Sequence, residues 1–173
     1  VEKLWEYAPC STSGCPGYGS GNHLSSVAMS DDGKYLVIAS YNYKKVYLFS
    51  TDSSEPLWTY DTEDVVYSVD ISADGSSIVV GEDDYVHLFG IDSNVPIWST
   101  EDSSSSGLST QGVKISADGN YIVSTGGFLY SGGLSLHLFS IDSSTPLWNY
   151  TLDCCSSGSN PHFTDISISS NGS

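Results

Sequence analysis

The sequence predicts an all-β protein, an array of repeated four-stranded antiparallel units, and three observations predict it. A twelve-residue motif recurs as Phe49 to Tyr60, Phe89 to Thr100 and Phe139 to Tyr150, running from a Leu-Phe strand end through an Asp-Ser turn and a Pro to an aliphatic residue and Trp. A second marker follows each Trp: Ser30-Asp31-Asp32-Gly33, Ser72-Ala73-Asp74-Gly75, Ser116-Ala117-Asp118-Gly119 and Ser169-Ser170-Asn171-Gly172. Between the markers apolar residues alternate with period two, and no stretch carries a helical period.

The four Trp residues, Trp5, Trp58, Trp98 and Trp148, are spaced 53, 40 and 50 residues apart. Unequal spacing with constant internal order means one unit with loop insertions. Strand A of each unit ends at the marker: Val27 and Met29, Val69 and Ile71, Val113 and Ile115, Ile166 and Ile168 share one face. Asp-Gly or Asn-Gly then supplies the positive-φ residues of a hairpin turn, at Gly33, Gly75, Gly119 and Gly172.

Strand B is expected at Tyr35 to Ser40, Ser77 to Gly81 and Tyr121 to Thr125. Strand C is expected at Lys45 to Ser50, Tyr85 to Gly90 and Leu134 to Ser140. Its two faces are both apolar or aromatic, with Val46/Leu48, Val86/Leu88 and Leu136/Leu138 on one and Tyr47/Phe49, His87/Phe89 and His137/Phe139 on the other. A strand of that kind is covered on both sides. Strand D carries the Trp, and Pro56, Pro96 and Pro146 stop ladder pairing before it.

Units covered on both faces and repeated every 40 to 50 residues are what propeller blades require, because each blade packs between two neighbours. The expected organisation is one repeat domain over 1–173: strand D at 3–7, blades at 24–60, 65–100 and 109–151, and strand A at 163–169. Three complete blades with a lone strand at each end leave unpaired edges. The expectation is a piece of a longer propeller or subunits that complete one another head to tail, as a ring or a filament.

The units resemble the WD40-like and PQQ-like repeats of β-propeller proteins. Asp52, Asp92 and Asp142 match the PQQ-like Asp, and Trp58, Trp98 and Trp148 match its Trp. Leu-Phe-Ser or Leu-Phe-Gly stands where the WD40 pattern has Trp-Asp, and Pro replaces the PQQ-like Thr-Gly. The adjacent Cys154-Cys155 is similar to the vicinal disulfide beside the cofactor of quinoprotein alcohol dehydrogenases, which implies a quinone-dependent oxidoreductase as a remote alternative. No calcium or base residue of those enzymes has a counterpart here.

Composition narrows the partners. Five Lys and no Arg stand against 21 Asp and Glu, for a formal net charge of -16, which repels phosphate backbones and anionic lipid and argues against nucleic acid. No apolar run approaches the roughly 20 residues that cross a bilayer. Charged residues are only 15% of the chain and about one residue in five is Ser, so exposed positions hold hydroxyls and Gly, as on a secreted surface. The opening residues, Val1 to Trp5, carry no signal-peptide pattern, which leaves a processed start or no export.

Cys10, Cys15, Cys154 and Cys155 lack the ligand spacing of a structural zinc site and are read as disulfide candidates in an oxidising compartment. Three pairings are open, including a local Cys10–Cys15 staple and a link between the two lengthened loops. Asn149-Tyr150-Thr151 and Asn171-Gly172-Ser173 are glycosylation patterns, so Asn149 and Asn171 are candidate acceptors. His87 and His137 share a position with Tyr47, which reads as packing, and His23 and His162 lie in loops before strand A. Asp31-Asp32, Asp83-Asp84 and Glu101-Asp102 lack the alternating spacing of a calcium loop. No serine stands in a nucleophile motif with a paired base.

The expected protein is a non-enzymatic, extracellular or cell-surface structural or interaction protein. Neither cofactor nor metal is expected. Its partners are expected to be itself or other proteins, with a ligand- or protein-binding sensor propeller as the alternative.

Overall fold

A computed structural model describes residues 6–7, 24–101, 108–128, 133–153 and 165–172. Twelve strands form three antiparallel sheets of four, in the orders β1-β2-β3-β4, β5-β6-β7-β8 and β9-β10-β11-β12. The first blade comprises β1 (Leu24–Met29), β2 (Tyr35–Ser40), β3 (Lys45–Ser50) and β4 (Pro56–Asp61). The second comprises β5 (Val66–Ile71), β6 (Ser77–Glu82), β7 (Tyr85–Gly90) and β8 (Trp98–Glu101). The third comprises β9 (Leu108–Ile115), β10 (Tyr121–Phe128), β11 (Gly133–Ser140) and β12 (Trp148–Asp153). Among the described residues there is no helix. The expected all-β, propeller-like array of four-stranded blades is the observed fold.

The marker turns explain the A-to-B connections, with one difference from expectation. Ser30 Oγ donates to Asp32 Oδ1 at 2.7 Å and accepts from the Tyr35 amide at 3.1 Å, while the Gly33 amide donates to Ser30 O at 2.9 Å. Ser72 and Ser116 repeat the pattern. Within these turns only the glycines have positive φ, between 70° and 74°, and the preceding Asp or Asn does not. The turn is therefore a four-residue turn ending on a left-handed Gly rather than a tight hairpin with two left-handed residues, because the Ser and Asp side chains close it from within. Pro56 also differs. It is the first residue of β4, opposite Phe49 at a register shift, a position where a missing amide is tolerated.

Each core lies between blades. Val37, Ala39, Val46 and Leu48 of the first blade pack on Val66, Val69, Ile71, Ile78, Val80 and Phe89 of the second. Val79, Val86 and Leu88 of the second pack on Val113, Ile115, Ile122 and Phe139 of the third. Strand D closes each interface. Trp58 tilts over Phe89 and donates from Nε1 to Ile91 O at 2.9 Å; Trp98 does the same over Phe139 and to Ile141 O at 2.8 Å. The strand A ends are joined too, since Asp31 N donates to Ala73 O, Ala73 N to Ala117 O and Asp118 N to Ser170 O.

Two partial pieces flank the blades. Tyr7 packs edge-on against Tyr47 and Phe49, with centroids 5.7 and 5.1 Å apart, as Tyr60 does against His87 and Phe89. Glu6 and Tyr7, the described part of the strand expected at 3–7, are not assigned to a strand. Residues 165–170 lie against the third blade in the place of a fourth strand A, and Gly172 abuts the Tyr121 ring as Gly75 abuts Tyr35.

Candidate functional site

The equivalence of the repeats locates the exceptional surface. Val46/Leu48 and Val86/Leu88 are buried, but Leu136/Leu138 at the same positions are half-exposed. Trp148 is 47% exposed and its indole N–H has no acceptor among the described residues. Tyr150 and Leu152, further along the same face of β12, are also exposed. The third blade thus presents to solvent the surface that the first two cover.

This open face has a floor and one wall. Val123, Leu136, Leu138 and Trp148 line a groove of about 410 Å³, closed on its inner side by Ile166 and Ile168. Those two isoleucines are the pair expected to share one face of strand A, and Ile166 lies in van der Waals range of Gly112. Residues 165–169 run along this side without being assigned to a strand. The site combines an apolar face with backbone donors and acceptors, the chemistry that receives an added strand.

A second, polar groove of about 350 Å³ lies along the inner strands. Ser26 Oγ accepts from Val69 N and Ser68 Oγ from Val113 N, both at 3.2 Å. Asp70 Oδ2 accepts from Ile115 N at 3.0 Å and its other oxygen stands 3.5 Å from Lys114 Nζ. Burial raises the Asp70 pKa, against the lowering by these partners. These groups bind one blade to the next, so they are largely spent on the fold.

The remaining candidates fall as follows. Asp32 is held to about pKa 2 by Lys34 and Ser30, as part of its turn, and no group of metal-ligating side chains occurs among the described residues. Asp83 Oδ1 is buried with no hydrogen-bond partner among them. His137 is half-buried against Phe139. Asn149 and Asn171 are both exposed. Trp5, His23, His162, Asp102, Cys10, Cys15, Cys154 and Cys155 lie outside the described residues.

His87 is more than packing. Its Nε2 stands 2.9 Å from Glu82 Oε2 and its Nδ1 2.7 Å from Ser99 Oγ, with Glu82 and His87 buried and Ser99 exposed. The sequence reading that no serine has a paired base missed this serine. The only signal for it is register: in the β7–β8 hairpin His87 is opposite Ser99, and Glu82 ends the strand before.

No family model matches the chain, and no curated protein matches it. Chains of solved structures that resemble it number 1053, and a fold alone does not select a function. One is the hydrazine synthase of Kuenenia stuttgartiensis, a β-propeller-containing protein, with TM-score 0.65 and 18% identity. The match covers 75% of this chain and 37% of that one. At that identity it shows a propeller-like fold and leaves the WD40-like or PQQ-like assignment a resemblance.

Proposed function

We propose that the protein is an extracellular interaction scaffold that receives β-sheet partners at the open face of its third blade. Its task on this reading is binding rather than turnover. The observation that carries it is Trp148, exposed and without an acceptor at the position where Trp58 and Trp98 each close an interface. The Ser-rich composition and the exposure of Asn149 and Asn171 support an extracellular setting.

The geometry favours one form of partner. Head-to-tail stacking of a second copy would bring its β1 to the place that 165–170 occupy, so an intact first blade does not fit without displacing them. The seat fits three strands that extend the sheet from 165–170 outward and lay a strand C aromatic under Trp148. A copy of residues 77–101 appended after Ser173 tests this. Acrylamide quenching of Trp148, isolated by comparison with the Trp148→Phe chain, is expected to fall sharply in the extended protein. Unchanged quenching would sink the reading. Light scattering over a concentration series separates the self-assembling form: association that Trp148→Lys abolishes would point to a second copy.

A further inference from the structure

Glu82, His87 and Ser99 form a hydrogen-bonded chain at the outer rim between the first and second blades, and the binding role does not use it. We propose that Ser99 is an activated nucleophile that accepts an acyl group from small activated esters or thioesters. Glu82 is 2% exposed and is pinned by the Asp64 amide, which donates to Oε1, while Oε2 faces His87. In the neutral tautomer that donates from Nε2 to the accepting carboxylate, the lone pair of Nδ1 faces Ser99. The other tautomer would set a lone pair against the carboxylate. Ser99 therefore donates its hydroxyl to Nδ1, the acid–imidazole–hydroxyl order that nucleophilic catalysis requires.

The set is specific to this blade. The same three positions hold Ser40, Tyr47 and Thr59 in the first blade and Gly126, His137 and Asn149 in the third. Tyr85 stacks on the His87 ring and Tyr60 meets it edge-on, each with centroids 5.7 Å away, which fixes the imidazole plane. Around the imidazole stand the carboxylate of Glu82 from β6, the phenols of Tyr60 and Tyr85 from β4 and β7, and Glu101, two residues beyond Ser99 on β8 and opposite Tyr85. Strand β8 is the outer strand of its sheet, so among the described residues the amides on its free edge lack ladder partners and are donors of the kind that receive an oxyanion.

In the step, Ser99 Oγ bonds to the acyl carbon as its proton passes to His87 Nδ1. The carbon–leaving-group bond then breaks, and the alkoxide or thiolate takes that proton. The products are an ester on Ser99 and a free alcohol or thiol.

The test treats the full chain with p-nitrophenyl acetate and maps acetylation by peptide mass spectrometry. Ser99 is expected to react about 10²-fold faster than the exposed Ser76 and Ser93 of the same chain, the low end of general-base acceleration. The advantage is expected to vanish in His87→Gln and Glu82→Gln chains. If His87→Gln does not fold, the nearly isosteric Glu82→Gln decides. Labelling of Ser99 no faster than Ser76, or undiminished by Glu82→Gln, would overturn the proposal.

Discussion

The second and third blades have the same strand order and nearly the same motifs, yet one is sealed and the other is not. Trp98 of the second blade meets Phe139 and an Ile141 carbonyl; Trp148 of the third meets solvent. Leu88 is buried and Leu138 is half-exposed. The first blade is open on its inner side instead, with Val27 61% and Met29 53% exposed where Val69 and Ile71 are buried. Burial in this fold belongs to the pair of blades rather than to the sheet, so identical local chemistry has different energetic weight at each position.

The largest test of that difference is truncation on either side. Phe139→Ala, inside the sealed interface, is expected to cost about 3–5 kcal/mol, whereas Trp148→Ala costs less than about 1 kcal/mol, both by urea unfolding. Equal costs would mean that the open face is covered in solution. Next are the turns. Gly75→Ala and Gly33→Ala both force a side chain into the left-handed region, at about 1–2 kcal/mol. At Gly75 the new Cβ would also meet the Tyr35 ring at 2.5 Å, while at Gly33 nothing lies within 4 Å. The former is expected to cost about 1–3 kcal/mol more, read as the difference in unfolding midpoints.

A smaller effect is expected from Ser68→Ala, which removes the hydroxyl that accepts from Val113 N across the second interface, at about 1 kcal/mol. At the third interface Gly112 already occupies that position, so the loss is confined to the sealed side. The smallest effect is the acid response of the turns. Hydrogen bonds from Lys34, from the Ser76 amide and from Ser116 lower the pKa values of Asp32, Asp74 and Asp118 respectively. Their folded values lie below the unfolded ones, so the stability they contribute is present above about pH 4 and is lost as pH falls through the folded values, which for Asp32 is about 2. Asn171 does not titrate, so the fourth turn is insensitive to acid. Asp70 has the opposite sign: burial raises its folded pKa, and it favours the folded state below its unfolded value. Acid unfolding curves of Asp74→Asn and Asp118→Asn should be shallower than that of the parent.

The strands were legible because their signals are local. A run that is apolar or aromatic on both faces places Lys45–Ser50 and Tyr85–Gly90, and Ser-x-Asp-Gly places the first three turns, since the serine and aspartate close them without help from elsewhere. The turn geometry was less legible, because a side-chain network and a tight hairpin both call for Asp-Gly. His87 was the clearest omission from the candidate sites. Its equivalence with Tyr47 pointed to packing, and packing accounts for only one of its edges; Glu82 and Ser99 reach it through cross-strand register, which has no mark in the order of residues.

Local backbone and side-chain chemistry in the chain thus accounts for the repeat, the strand positions and the four turns, each of which needs only residues within a few positions of one another. Which faces are sealed and where Trp148 is left exposed depend on residues up to 45 positions apart meeting across blades, and a glutamate, a histidine and a serine converge, at separations of 5 and 12, only through strand pairing. Contacts of that range form only when whole sheets pack, and their outcome is set by which sheet lies next door.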